Sequence, residues 1–234
     1  MKIAIMQPYF LPYIGYFQLM NAVDEFVVYD NIEFTKKGWI NRNRILVNGG
    51  EAYITLPLKK ASDYLLVKDR FLSENWEVDR RKMISKIKGS YLKAPFFKEV
   101  FPLLQECVLL EERNLFKFIL NLLIEIKNYL SIATTLSVSS SVSIKPELKS
   151  EEKVIAICKA KKATTYINPI GGIELYNKEN FRDAGIELQF LQAKEVEYNQ
   201  YNNEFVPWLS IVDVLMFNCK EKIQDFLSNN YTLN

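Results

Sequence analysis

The chain reads as an α/β protein built on an open, mostly parallel sheet that carries a helical insert. Three observations lead there. Two short strand-like runs, K-I-A-I-M and E-F-V-V-Y-D, flank a stretch with helically spaced apolar residues. The same alternation returns in the last third. Between them lies a segment of helical pattern, from Trp76 to about Ile132.

Taken in order, Lys2 to Met6 is a strand, Tyr13 to Met20 a helix, and Glu25 to Asp30 a second strand, a compact β-α-β start. I-L-V-N-G-G-E-A-Y-I-T-L-P reads as a hairpin turning at Asn48, Gly49 and Gly50, with Pro57 closing its second strand. L-L-V-K-D-R-F is a further strand candidate. Helices are expected over Trp76 to Lys88, Phe96 to Val108 and Glu112 to Tyr129, broken by Gly89 and Pro95. The serine-rich T-T-L-S-V-S-S-S-V-S-I-K-P reads as a linker or a buried strand, and its Leu, Val and Ile spacing favours the strand. There follow a helix over Glu151 to Lys161, strand T-T-Y-I-N, loop P-I-G-G, a helix from Ile173, strand I-E-L-Q-F-L, and helices from Leu209 and Lys220. The expected organisation is one domain over 1–234, with 76–132 as an insert or cap.

Composition excludes several classes. Thirty basic residues against 28 acidic give a net charge of +2, too balanced for a nucleic-acid backbone to be the expected partner. No apolar run approaches the roughly 18 residues of a membrane span, and Lys2 to Met6 is too short for a signal-peptide core, so a cytoplasmic protein is expected. Cys107, Cys158 and Cys219 have no C-x-x-C spacing and support neither a disulfide framework nor a zinc site. The chain has no histidine, which removes the usual general base and the Ser-His and Cys-His pairs, and no metal site is expected. Any proton transfer falls to Asp, Glu, Lys, Tyr or the substrate.

A strand that ends in a loop and feeds a helix leaves polar groups at the C-terminal edge of a sheet, where open α/β folds bind ligands. Gln7 follows the first strand, and its amide can donate and accept, although Pro8 beside it also suits a plain turn. Gly15, between Tyr13 and Tyr16, permits close approach of a ligand or of packed backbone. Tyr9, Tyr13 and Tyr16 are core aromatics or pocket walls. Asp30 is the candidate general base, with a turn cap as the alternative. In W-I-N-R-N-R-I, strand alternation puts Asn41 and Asn43 on one face, the candidate catalytic one, and Arg42 and Arg44 on the other. The arginines, with Lys36, Lys37 and Trp39, form either a clamp for pyrophosphate or carboxylate or a solvated basic face. Asn168, Gly171 and Gly172 make a strand-to-helix turn that can present N–H groups to an anion, with Tyr176 one turn later. Ser210 and Asp213 are either a helix cap or ligands for sugar hydroxyls. Cys219 is the one candidate for covalent acyl capture.

The motifs M-Q-P-Y-F-L-P-Y-I-G-Y-F, D-N-I-E-F-T-K-K-G-W-I-N-R-N-R-I, Y-I-N-P-I-G-G-I-E-L-Y and F-V-P-W-L-S-I-V-D-V-L, in that order, resemble those of the WbqC-like family of bacterial proteins. That resemblance implies a role in O-antigen or other surface-polysaccharide clusters and transfer of a glycyl, aminoacyl or other acyl group. The donor would be a thioester on a carrier protein, presented on a phosphopantetheine arm, with no tightly bound cofactor. The acceptor would be the amine of a nucleotide-linked amino sugar. A second resemblance is to nucleotidyltransferase-like α/β folds, whose H-x-G-H helix start corresponds to Tyr13-Ile14-Gly15-Tyr16. Tyrosine cannot supply the cation that histidine does there. The alternatives are a non-catalytic module that binds a nucleotide sugar or carrier protein, and a degenerate nucleotidyltransferase. The oligomeric state is not legible.

Overall fold

The computed structural model describes residues 1–201 and 204–234. Six strands form one sheet: β1 (Lys2–Met6), β2 (Glu25–Val28), β5 (Thr135–Val138), β6 (Thr165–Pro169), β7 (Glu187–Ala193) and β8 (Tyr231–Leu233), ordered β5-β2-β1-β6-β7-β8. The first five are parallel and β8 runs antiparallel to β7. The chain therefore starts in the middle, winds outward to β5, and crosses back to β6 to build the other half, the doubly wound plan. A separate hairpin, β3 (Arg42–Val47) and β4 (Gly50–Thr55), turns at Asn48 and Gly49, both in the left-handed conformation.

Strand alternation divides the interior in two. Ala4, Phe26, Val28 and Ile167 face a large core shared with helices α1 (Ile14–Asn21), α4 (Leu115–Tyr129), α7 (Ile211–Phe217) and α8 (Lys220–Asn229). Ile3, Ile5, Val27, Tyr166 and Phe190 face a smaller core closed by α5 (Ser150–Ala160) and α6 (Lys178–Asp183). Helices α2 (Trp76–Tyr91) and α3 (Phe97–Leu109) join α4 in the large core. On α4, Leu115, Phe118, Ile119, Leu122 and Ile126 recur every three or four residues and are fully buried. Each side chain so buried is worth about 1.5–3 kcal/mol over leaving it in water.

Four local expectations differ from the structure. Helix α2 runs through Gly89 to Tyr91, because burial of Ile87 and Tyr91 outweighs a glycine's cost of about 1 kcal/mol. L-L-V-K-D-R-F is no strand: Val67–Asp69 is a 3-10 turn flanked by isolated bridges at Leu66 and Leu72. The serine-rich segment does form a strand, β5, but at the sheet edge and only half-buried. Ile173 starts no α-helix; Ile170–Leu175 is 3-10 and α6 begins at Lys178.

Candidate functional site at the parted end of the sheet

Between its two halves the sheet comes apart. β1 pairs with β2 up to Met6 and Val28, and β6 pairs with β7 up to Pro169 and Leu191. Across the join, β1 and β6 pair only at Lys2 with Thr165 and Ile3 with Tyr166. Beyond those residues the two C-terminal ends lack mutual ladder pairing, and Pro169 has no N–H to extend it. This is also the topological switch point, where one chain leaves toward α1 and the other toward α6, and such crevices are where doubly wound proteins hold ligands.

One lip is Gln7-Pro8-Tyr9. Gln7 is half-buried; its carbonyl accepts from Tyr16 Oη at 3.0 Å, while its side-chain amide has no hydrogen-bond partner among the described residues. Tyr9 is half-buried against the Tyr16 ring, centroids 5.6 Å apart, and its hydroxyl has no hydrogen-bond partner among the described residues. The other lip is Asn168-Pro169 and the 3-10 turn. Asn168 is buried, accepts from Tyr166 Oη at 3.0 Å, and donates to the Pro169 carbonyl at 3.1 Å. Gly172 lies so close beneath it that a Cβ there would collide with Asn168 Nδ2. Gly171 is exposed, and the Tyr176 phenol stands 3.4 Å from that of Tyr166.

One strand over, at the end of β2, a charged cluster lines the same edge. Asp30 is buried, and its Oδ1 accepts from Ser139 Oγ at 2.8 Å and Ser140 N at 2.9 Å, which ties β2 to the end of β5. Its Oδ2 has no partner among the described residues. Lys153, in the first turns of α5, donates to the Asn31 carbonyl at 3.1 Å and lies 4.9 Å over the Tyr29 ring. Burial depresses the Lys153 pKa; the Asp30 carboxylate pulls it back up and the Lys68 ammonium pushes it down again. Lys68 is held there by its own N–H on the Asp30 carbonyl, 3.1 Å, and by Asn114 Nδ2 on its carbonyl, 2.6 Å.

The other sequence candidates are occupied with holding the loops. Asn41, which precedes β3, donates to Leu56 O at 2.9 Å, and Asn43, within β3, donates to the carbonyls of Phe10 and Leu11 at 3.1 and 2.9 Å, so both amides clamp backbone. Arg42 donates to the carbonyls of Lys37 and Gly38 and lies 4.7 Å over Tyr53. Arg44 pairs with Glu51 at 2.5 Å and donates to Trp208 O at 3.3 Å. Lys36 pairs with Asp63 at 2.8 Å, and Trp39 stacks on Tyr53. Gly15 is covered by the Tyr13 ring, which leaves no room there even for a Cβ, and Tyr16 is fully buried. Ser210 caps α7 through Val212 N and also donates to Leu11 O at 2.7 Å.

Asp213 does not join that cap. It is fully buried and accepts from Tyr91 and Tyr198 at 2.8 Å each and from Gln200 at 2.6 Å. Burial raises its pKa against the pull of those three donors. Burial also pushes the thiols of Cys107 and Cys158 up to about 12, which makes them inert, whereas Cys219 is half-buried at the start of α8.

Lys68, Ser139, Lys153 and Tyr29 are the residues that sequence reasoning missed. Ser139 had a usable signal: it closes a strand just as Asp30 does, and strand ends of a parallel sheet line one edge. Lys153 had none, because its approach to Tyr29 is set by how α5 packs. Among the described residues no cluster of three or more Cys, Asp or Glu is placed to hold a metal, and no helix is long and apolar enough to cross a membrane.

Comparison with known proteins agrees over almost the whole length. The model of a family described as the WbqC-like protein family matches residues 7–225. A protein of Mycobacterium tuberculosis described only as uncharacterized is 29% identical over 97% of both chains. No solved structure matches.

Proposed function

The chain belongs to the WbqC-like protein family, and from that premise we propose that it is a transferase acting at the parted sheet end. It moves a glycyl, aminoacyl or other acyl group from a carrier-protein thioester onto the amine of a nucleotide-linked amino sugar in O-antigen or surface-polysaccharide synthesis. The observation that carries this reading is the conjunction, at one sheet edge, of two groups without a hydrogen-bond partner among the described residues: the Gln7 amide and Asp30 Oδ2.

The reaction asks little of a protein that lacks histidine. The sugar amine attacks the thioester carbonyl; the C–N bond forms and the C–S bond breaks. Asp30 Oδ2 takes the proton that the amine loses and passes it to the departing thiolate, so no proton is consumed overall. Gln7 Nε2 donates to the carbonyl oxygen as negative charge gathers on it. Asp30 suits the part because Ser139 and Ser140 fix its orientation through the other oxygen. The nucleotidyl-transfer alternative is weakened by Tyr13 and Tyr16, which are spent on covering Gly15 and on the Gln7 carbonyl.

The test is mass spectrometry of purified protein with a glycyl-loaded carrier protein and a panel of nucleotide amino sugars. A glycyl-sized mass gain on one sugar, lost in Asp30→Asn, supports the transferase. Retention of a nucleotide sugar in native spectra without any mass gain would overturn it in favour of a binding module.

A further inference from the structure

Two lysines meet at the end of β2: the Lys153 ammonium donates to the Asn31 carbonyl at 3.1 Å, and the Lys68 main-chain N–H donates to the Asp30 carbonyl at 3.1 Å. Lys153 and Lys68 take part in no ion pair within 4.0 Å among the described residues. The acid whose charge acts on Lys153, Asp30, is half committed to Ser139 and Ser140. Both backbones are pinned: Lys68 through Asp30 O and Asn114, Lys153 within α5. The Lys153 ammonium is partly desolvated over the Tyr29 ring and feels the repulsion of Lys68. The start of α5 adds little, since Glu151 and Glu152 already occupy its first turn and Glu151 is hydrogen-bonded to Asn177 and Asn180. Partly buried like charges held beside each other are costly unless an anion joins them.

We propose that Lys68 and Lys153 form the anion site that receives the diphosphate of a nucleoside-diphosphate substrate at the end of β2. This assignment takes the nucleotide-linked acceptor from the proposed function, but the anion site stands or falls by itself. The neighbouring crevice between β1 and β6 is one strand spacing away, roughly 5 Å, so a nucleotide sugar held by its diphosphate here can span both. Two point charges of this kind suit phosphoryl oxygens, which need no planar fork. Phosphopantetheine also carries a phosphoryl group, and the test separates the two sources.

The experiment is isothermal titration of the full-length protein with inorganic pyrophosphate, a uridine diphosphate and phosphopantetheine, repeated for Lys153→Gln and for the half-exposed Lys68→Gln. Saturable pyrophosphate and nucleoside-diphosphate binding, weakened about tenfold or more by each substitution at unchanged melting temperature, is the expected result. No saturable binding of pyrophosphate, or binding indifferent to both substitutions, overturns the site, as does preference for phosphopantetheine over both diphosphates. Should Lys153→Gln lower the melting temperature, Lys68→Gln decides alone. Pyrophosphate binding without acyl transfer would retire the transferase and leave the anion site; acyl transfer with lysine-independent binding would do the reverse.

Discussion

Removing the Asp213 carboxylate should cost stability well before it costs chemistry. In Asp213→Ala, three buried donor hydrogens lose their acceptor: those of Tyr91 Oη and Tyr198 Oη and one of the two on Gln200 Nε2, whose other bond, to the Val206 carbonyl, remains. Each orphaned donor costs about 1–3 kcal/mol, or about 3–9 in all. Deleting a buried carboxylate returns several kcal/mol of desolvation penalty, so we expect a net loss of about 3 kcal/mol. For a chain of this size that lowers the melting temperature by about 6–12 °C. Tyr198→Phe combined with Asp213→Ala should fall short of additivity by about 1 kcal/mol, since both remove one bond. The pH dependence has a definite sign. Burial raises the native Asp213 pKa, so the native state holds its proton more tightly than the unfolded chain does. Between the unfolded value, about 3.9, and the raised native one, this residue's contribution to stability falls as pH rises. Asp213→Asn should remove that slope. Chemical denaturation across pH reads all of this. A variant within about 0.5 kcal/mol of wild type, a typical surface-substitution effect, yet unable to bind nucleotide sugar would refute the reasoning and return Asp213 to the ligand.

Three further outcomes follow from the same geometry. Asp30→Asn keeps an acceptor for Ser139 and Ser140, so its melting temperature should stay close to wild type while turnover drops about 10²–10⁴-fold in the transfer assay. Gly172→Ala puts a methyl group into Asn168 Nδ2, and we expect about 1–3 kcal/mol of destabilisation by denaturant titration and a weaker acceptor affinity, because Asn168 must move. Asn43→Ala strips a donor from the carbonyls of Phe10 and Leu11; Leu11 retains Ser210, so about 1–3 kcal/mol is lost, with faster hydrogen exchange over residues 9–13.

The parts of the fold that could be read from the sequence are those where burial writes a pattern into the chain. β1 and β2 are short unbroken apolar runs buried on both faces, α1 is buried from Ile14 to Met20, and α4 repeats its apolar residues over four turns. β8 left no such mark: Tyr231–Leu233 is mostly exposed, and only its pairing with β7 makes it a strand. The site was legible in part. Gln7, Asp30, Asn168 and Gly172 could be placed because strand ends in a parallel sheet share an edge. Arg42 and Arg44 have the right chemistry for phosphate, but their guanidinium groups answer to Lys37, Gly38, Glu51 and Trp208, partners that come from tertiary packing. Lys153 shows the converse, since nothing in K-S-E-E-K-V separates it from a solvated helix lysine. Its burial over Tyr29 exists only once α5 docks on the sheet.

The most direct test of the central claim is hydrogen-exchange mass spectrometry with and without a nucleotide amino sugar. Binding at the parted sheet end predicts protection of amides at Gln7, Tyr9, Asn31, Gly171 and Gly172, with the β3–β4 hairpin unchanged. Protection confined to that hairpin and Trp208, with residues 7–9 and 168–172 unaffected, would contradict it.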